Sequence, residues 1–338
     1  MFNAARRFQS IILSASKHFQ PIVFSAAVLF QSIIIFKAAK RFLIREPARD
    51  TPPLRITKIL VHPIKSCKGT AVQEARYAPD GIEYDRRLVI VDAKTHVAIT
   101  ARDISKMLLI DPKIHIDESD PYGGKIKISF PADSDCEPFN IPLRPTQDLL
   151  ESWPMVDNAV VWESTNDGYV VQSLDPDAAY GPDTPSETLS NFLGQNVLLV
   201  FKGPRLRWVV PTTNFPQLKA NAAFHDGYPI LIATDPSLED IAKRVKVAAT
   251  AEGDGEDTFK IHGLDKEVWK EKEFAMERFR PNIVIGGEGL LAYDEERWEE
   301  IEVGQDHGKM LLVSLCYRCQ MPNIDVETGE PDASVPSQ

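Results

Sequence analysis

From Leu54 to about Trp162 the chain is written in short β-rich runs broken by turn signals. Arg55–Val61 is rich in β-formers. Leu88–Val91 and Val97–Thr100 flank an Asp92-Ala93-Lys94-Thr95 turn and read as a hairpin. Ile114 and Ile116 alternate with polar neighbours, Pro121–Gly124 turns, and Lys125–Phe130 alternates again. Ala159–Trp162 is one more short strand. Short strands at this spacing bury apolar surface only by pairing and closing on one another, so a small barrel or sandwich is expected. No internal repeat period is visible.

Helices enter later. Thr184-Pro185-Ser186-Glu187 is a capping box with Pro at the first helical position, Leu189, Phe192 and Leu193 form the apolar face, and Gly194 ends the helix. Asp235-Pro236 opens a second helix with Glu239 and Asp240 in its first turn, where they complement the dipole, and with Leu238, Ile241, Ala242 and Val245 as its apolar face. Further strands are expected at Val197–Phe201, Ile230–Ile232, Ile283–Ile285 and Leu311–Leu315. The class is α+β, β-rich with a few helices. Asp167–Asp183 reads as a loop, and Ala248–Lys272 as a polar, acidic insertion.

Charge divides the chain. Its 338 residues carry a net −11. Residues 1–53 hold eight basic and two acidic residues, so this segment is +6 and the remainder −17. An acidic body argues against a general nucleic-acid partner. Four cysteines exclude a disulfide scaffold, and no Asn-x-Ser/Thr site points to secretion. The tail has no acid before Glu46, as in a mitochondrial targeting segment. Within it Ile22–Phe36 is uncharged and mostly apolar. As a helix it spans about 22 Å, extended by the snorkelling of Lys37, and it is read as a short membrane anchor. A cleaved presequence or an amphipathic surface helix is the competing reading. Five cations follow the run and three precede it, which leaves the body on the cytosolic side. Arg45–Pro53 reads as the linker. The division is therefore residues 1–53 as anchor and linker, 54–165 as a first β-barrel region, and 166–338 as a second domain.

Two local features carry chemistry. Cys316-Tyr317-Arg318-Cys319 is one CxxC motif. It is compatible with half of a zinc site, a redox pair, a buried structural thiol pair, or a single thiolate ligand for a soft metal, with Arg318 favouring the thiolate. His62-Pro63-Ile64-Lys65-Ser66-Cys67-Lys68-Gly69 follows a strand and offers two cations, a hydroxyl and backbone donors, a combination that suits a phosphate. Lys65, Arg86, Arg280 and Arg318 each sit at a strand or loop boundary of the −17 body. Together they read as a cradle for an anionic cofactor. HExxH, GxSxG, Walker A and GxGxxG motifs are absent.

These residues resemble a known family. HPIKSCKG at 62–69, YDRR at 84–87, TAR at 100–102, FHDGYPIL at 224–231, FRPNIVI at 279–285 and CYRC at 316–319 with IDVETG at 324–329 are similar, in the same order, to the MOSC family, and within it to the amidoxime-reducing components of mitochondria. The resemblance implies an N-terminal MOSC-type β-barrel region followed by a MOSC β-barrel domain. It implies a molybdenum cofactor, Mo-molybdopterin, with Cys319 as the metal-bound and catalytic thiolate. Lys65, Ser66, Arg86, Asp226, Gly227, Tyr228, Arg280 and Arg318 are then the cofactor-binding residues.

The implied activity is that of a molybdenum-dependent oxidoreductase reducing small N-hydroxylated compounds, amidoximes and hydroxylamines, by oxygen-atom removal. The alternative is a non-catalytic cofactor-binding or sulfur-carrier module. No flavin, haem or ferredoxin signature occurs in the chain. The electron donor is then expected to be another protein, and the resemblance implies a cytochrome b5-type protein with its NADH-dependent reductase. The implied location is the mitochondrial outer membrane with the body facing the cytosol, another membrane or the mitochondrial interior being the alternative. Nineteen residues follow Cys319, whereas the family continues through further strands, so the second barrel is expected to be C-terminally incomplete.

Overall fold

The computed structural model describes residues 54–172, 184–205, 207–251, 261, 263–304, 308–316 and 320–332. The expected anchor and linker, and the site candidates Arg318 and Cys319, lie outside the described residues.

The first ten strands are β1 (Arg55–Val61), β2 (Thr70–Val72), β3 (Tyr77–Ala78), β4 (Gly81–Ile82), β5 (Leu88–Asp92), β6 (Asp111–Ile116), β7 (Gly124–Ser129), β8 (Phe139–Pro142), β9 (Met155–Val161) and β10 (Ser164–Val170). The later strands are β11 (Val197–Lys202), β12 (Arg207–Trp208), β13 (Asn221–Ala222), β14 (Ile232–Thr234), β15 (Ile283–Gly286), β16 (Glu300–Glu302) and β17 (Lys309–Leu311). Among the described residues the helices are α1 (Gln147–Ser152), α2 (Pro185–Leu193), α3 (Asp235–Thr250) and the single turn α4 (Lys266–Trp269). The β-rich class with few helices is what the strand spacing implied.

Three sheets make the scaffold. One has the order β14-β15-β1-β2, another β5-β11-β10-β9, and the third β6-β7-β8. Only the β14–β15 pair is parallel; the other pairs in these sheets are antiparallel. In β7, Ile126 and Ile128 turn inward and Lys125 and Lys127 outward, the alternation of a half-buried strand. In β5 both faces are buried. Leu88 and Ile90 join the largest core cluster, with Ile64, Met107, Ile110 and Leu189, while Val89 and Val91 join a second with Val200 and Phe224. A third cluster, Val61, Ile82, Ile283 and Ile285, ties β1 to β15 across more than 200 residues of sequence.

Several local expectations are met by specific bonds. The Thr184 hydroxyl accepts from the Glu187 amide at 3.3 Å, the Glu187 carboxylate accepts from the Thr184 amide at 2.6 Å, and Gly194 closes α2 at φ 77°. Others are corrected. Val97–Thr100 is no regular strand: it makes isolated bridges to Val91 and Val160, because the edge of β5 opposite β11 is shared with the Pro63–Lys65 segment. The Asp92–Thr95 turn is present, with the Asp92 carboxylate accepting the Lys94 and Thr95 amides. Asp167 lies inside β10 rather than opening a loop. Its buried carboxylate is matched by the Lys202 ammonium at 3.2 Å and by the Arg205 amide at 3.1 Å. The expected strands at Ile230–Ile232 and Leu311–Leu315 are shifted, to Ile232–Thr234 and Lys309–Leu311. The stretch from Ala248 is helical to Thr250 and again over Lys266–Trp269.

Candidate functional site

The segment after β1 is laced to the start of β5. The Lys65 amide donates to the Leu88 carbonyl (2.8 Å), the Leu88 amide to the Pro63 carbonyl (3.0 Å), and the Arg86 amide to the His62 carbonyl (2.7 Å). Ile64 and Cys67 enter the core from this segment, with Lys65 and Ser66 between them. Gly69 is required by close approach: a Cβ there would lie 2.6 Å from the His62 ring.

Asp85 is the hub of the polar centre beside this segment, and it is fully buried. One oxygen accepts from the His62 amide (2.7 Å); the other accepts from Arg86 Nη1 (2.5 Å) and faces His225 Nε2 (3.0 Å). Burial alone would raise its carboxyl, but Arg86 and the two histidine contacts outweigh that and hold it well below the carboxylate range. Burial, with Arg86 and Arg280 nearby, pushes His62 down to about 3, and burial also lowers His225, so both imidazoles are neutral at pH 7.

The cations converge on this centre from separate elements. Arg86 donates to Asn282 Oδ1 (3.1 Å) and to the Arg280 carbonyl (3.3 Å) in the turn before β15. Asn282 is itself fixed by β1 and by the Leu231 backbone: its side chain donates to Leu60 O and accepts from Leu231 N, both at 3.1 Å. Lys65, 3% exposed, pairs with the Asp226 carboxylate. Burial, opposed by Asp226, lowers Lys65 to about 8. Asp226 is ringed by protein yet 65% exposed at its side chain. Enclosure would raise it; Lys65, the Trp162 indole (3.0 Å) and Arg86 hold it at about 2. Arg207 donates to the Asp226 carbonyl (3.1 Å). Burial and the neighbouring Arg86 bring Arg280 down to about 10.

Among the described residues, Lys65, Arg86, Arg207 and Arg280 thus face two carboxylates, Asp85 and Asp226. Arg280 Nη2 and Arg207 Nε and Nη1 are buried without a hydrogen-bond partner among the described residues. Ser66, Arg86, Trp162 and Arg280 all hold positive φ, at 66°, 47°, 55° and 54°. Such backbone is disfavoured for residues with a Cβ and persists where surroundings over-determine it. Surplus positive charge and orphaned guanidinium nitrogens fit an anionic group.

The remaining candidates lie at the edge of this cluster or apart from it. Gly227 is exposed, and a Cβ there would meet open space. The Tyr228 hydroxyl donates to the Val210 carbonyl at 3.1 Å. Cys67 is a core thiol pushed up to about 12 by burial, and no group of three or more metal-ligating side chains occurs among the described residues. His62, Asp85, His225, Asn282 and Arg102 fall within the motifs that carry the family resemblance, but sequence alone gives them no role. Arg207 and Trp162 have no sequence signal, since an Arg in a two-residue strand and a Trp at a hairpin tip are ordinary.

Residues 53–195 match the MOSC N-terminal beta barrel domain, and residues 219–337 match the MOSC domain. Mitochondrial amidoxime reducing component 2 of Macaca fascicularis is 26% identical over 294 residues, covering 83% of this chain and 70% of that protein. Mitochondrial amidoxime-reducing component 1 of Danio rerio is 26% identical, covering 81% and 70%. The molybdenum cofactor sulfurase of Arabidopsis thaliana is 27% identical, covering 84% of this chain but 30% of that longer protein. By name, the first two are amidoxime-reducing components and the third acts on the molybdenum cofactor. Among the described residues no helix is long and apolar enough to cross a membrane. With both of the family's domains in order, the chain belongs to the MOSC-domain family and within it is similar to the mitochondrial amidoxime-reducing components.

Proposed function

We propose that the chain is a molybdenum-cofactor oxidoreductase that reduces N-hydroxylated compounds, amidoximes and hydroxylamines, to the parent N–H compounds. The observation that carries this reading is the cluster of Lys65, Arg86, Arg207 and Arg280 around two carboxylates, with buried guanidinium nitrogens that lack partners. Lys65, Ser66, Arg86 and Arg280 would hold the phosphate and pterin, and Asp226, Gly227, Tyr228 and Arg318 would line the same site. Cys319 would supply the thiolate. When bound, the cofactor supplies removal of an oxygen atom with two electrons. Asp226, ionised and at the rim, presents a hydrogen-bond acceptor to solvent and fixes the Lys65 ammonium. Trp162 covers that ion pair from the outside. The electrons would come from a cytochrome b5-type protein and its NADH-dependent reductase, with the basic segment 1–53 holding the chain at the mitochondrial outer membrane.

Elemental analysis of the full-length chain is expected to find molybdenum, and Cys319→Ala to lose most of it. Equal metal in both would remove Cys319 as ligand. Benzamidoxime turnover with a supplied cytochrome donor separates the enzyme from the alternative, a cofactor-binding or sulfur-carrier module. The similarity to sulfurases supports that second reading, which predicts metal without turnover.

A further inference from the structure

The hairpin between β9 and β10 turns through Trp162 and Glu163, and Trp162 holds φ 55° at its tip. The residue is 50% exposed, although an indole this size is ordinarily driven inward. Three contacts fix it. Its Nε1–H donates to the Asp226 carboxylate at 3.0 Å. The Arg102 guanidinium carbon stands 4.5 Å from the ring centroid. The Lys65 ammonium lies 5.9 Å from the same ring. Lys65 is buried and Arg102 exposed, so the ring contacts one interior cation and one surface cation.

A left-handed, half-exposed tryptophan bonded to an accessible carboxylate is an aromatic platform with an anion beside it. A planar delocalised cation satisfies both parts, the π-face by cation attraction and the carboxylate by N–H donation. The Arg102 guanidinium already occupies the platform, so a group of this shape and charge fits there. We propose that Trp162 is a specificity-determining residue whose ring and neighbouring Asp226 carboxylate bind planar amidinium- or guanidinium-type cations, with Arg102 as the displaceable occupant. The consequence for turnover rests on the proposed function, because the amidine formed from an amidoxime is such a cation at neutral pH. The binding itself is read without an electron donor or turnover.

The test is calorimetric titration of the full-length chain with benzamidinium, with benzylammonium (a cation that is not planar at its charge) and benzyl alcohol (neutral) as comparisons. Benzamidinium is expected to bind saturably and more tightly than either. Trp162→Ala is expected to weaken it at least fivefold, and Trp162→Phe, which keeps a ring but no N–H, to fall between. Arg102→Ala is expected to tighten it about two- to fivefold, the range of one exposed cation–π contact that no longer competes. A merely structural Arg102 would leave affinity unchanged or lower it. Benzamidinium affinity equal to that of benzylammonium overturns the proposal. So does an Arg102→Ala variant that binds no more tightly. If Trp162→Ala fails to fold, the Phe variant and Arg102→Ala decide. Benzamidinium binding without benzamidoxime turnover rejects the proposed function and leaves the platform standing; turnover without benzamidinium binding does the reverse.

Discussion

Lys65 shows what the site does to the fold that carries it. A buried ammonium whose single carboxylate partner is mostly exposed loses more hydration than it regains, which is why its pKa falls from the ordinary 10.5 to about 8. Between pH 8 and 10.5 the unfolded chain therefore holds a proton that the native state has released, and stability rises with pH across that window. Below pH 8 the charged lysine is a net burden. Lys65→Met is expected to raise stability at pH 7 by on the order of 1–3 kcal/mol, to flatten the rise above pH 8, and to lose the anionic ligand. Urea unfolding at pH 7 and pH 10 checks it; a variant less stable than the parent at pH 7 would refute the burden. The same residue marks how much is legible in sequence. Lys65, Arg86 and Arg280 are identifiable because each is a cation at the end of a β-rich run in an acidic body. Asp85 is not, because its importance lies in facing His62, Arg86 and His225 together, and His225 is 140 residues away. Trp162 is less legible still: a strand-terminal tryptophan signals core, and only the αL turn after β9 brings it to Asp226.

At the scale of elements, the turn before β15 does two jobs. Arg280 faces the cation cluster, while Arg278, buried on the same turn, holds the segment that follows the CxxC motif. It donates to the Pro322 carbonyl (3.0 Å) and to the Asp325 and Asp332 carboxylates (2.9 and 3.0 Å), and its guanidinium lies over Trp269 and Phe274. Lys272 bridges the same two carboxylates. Ile324 enters the main core, and the hairpin is closed by bonds between Asp325 and Glu330 and between Asp332 and Asn323. Burial would raise Asp325; Lys272 and the Glu327 and Thr328 amides outweigh it and hold the group at about 2. A depressed carboxyl contributes stability above its unfolded value near 3.8, lost as pH falls through about 2. Amide protection over Ile324–Asp332, corrected for intrinsic exchange, is therefore expected to fall between pH 4 and 2 while β5 and β11 remain protected. Asp325→Asn should show the lower protection already at pH 5. Uniform loss across all strands would mean that the hairpin has no local opening of its own. The strands around it are readable where one face alone is buried, as in β7. They are misread where partner choice decides, as at Val97–Thr100, because a pattern of period two states a face and not a neighbour.

The whole molecule places the cation cluster on a seam. Lys65, Asp85 and Arg86 come from the first matched domain, and Asp226, Arg280 and Asn282 from the second. The sheet β14-β15-β1-β2 joins the two, with Leu60 and Asn282 exchanging backbone and side-chain bonds across it. Strand order of this kind is invisible in local pattern, since β1 reads as the same β-rich run whether it pairs with β2 alone or also with β15. The acidity of the body has its meaning here: buried Lys65 and half-buried Arg86, Arg207 and Arg280 gather where both parts meet, so neither part alone concentrates them. A chain of residues 54–205 would keep the β5–β11 and β10–β11 ladders. It would also expose Val61 and Ile82, strip Asp85 of His225, and leave Arg86 without Asn282. Such a fragment is expected to melt without cooperativity, or at least 10 °C below the parent, since several interactions of a few kcal/mol are lost together. Co-expressed with residues 206–338 it should regain one cooperative transition. Melting at the parent's temperature as an isolated fragment would show that the seam contributes nothing to stability.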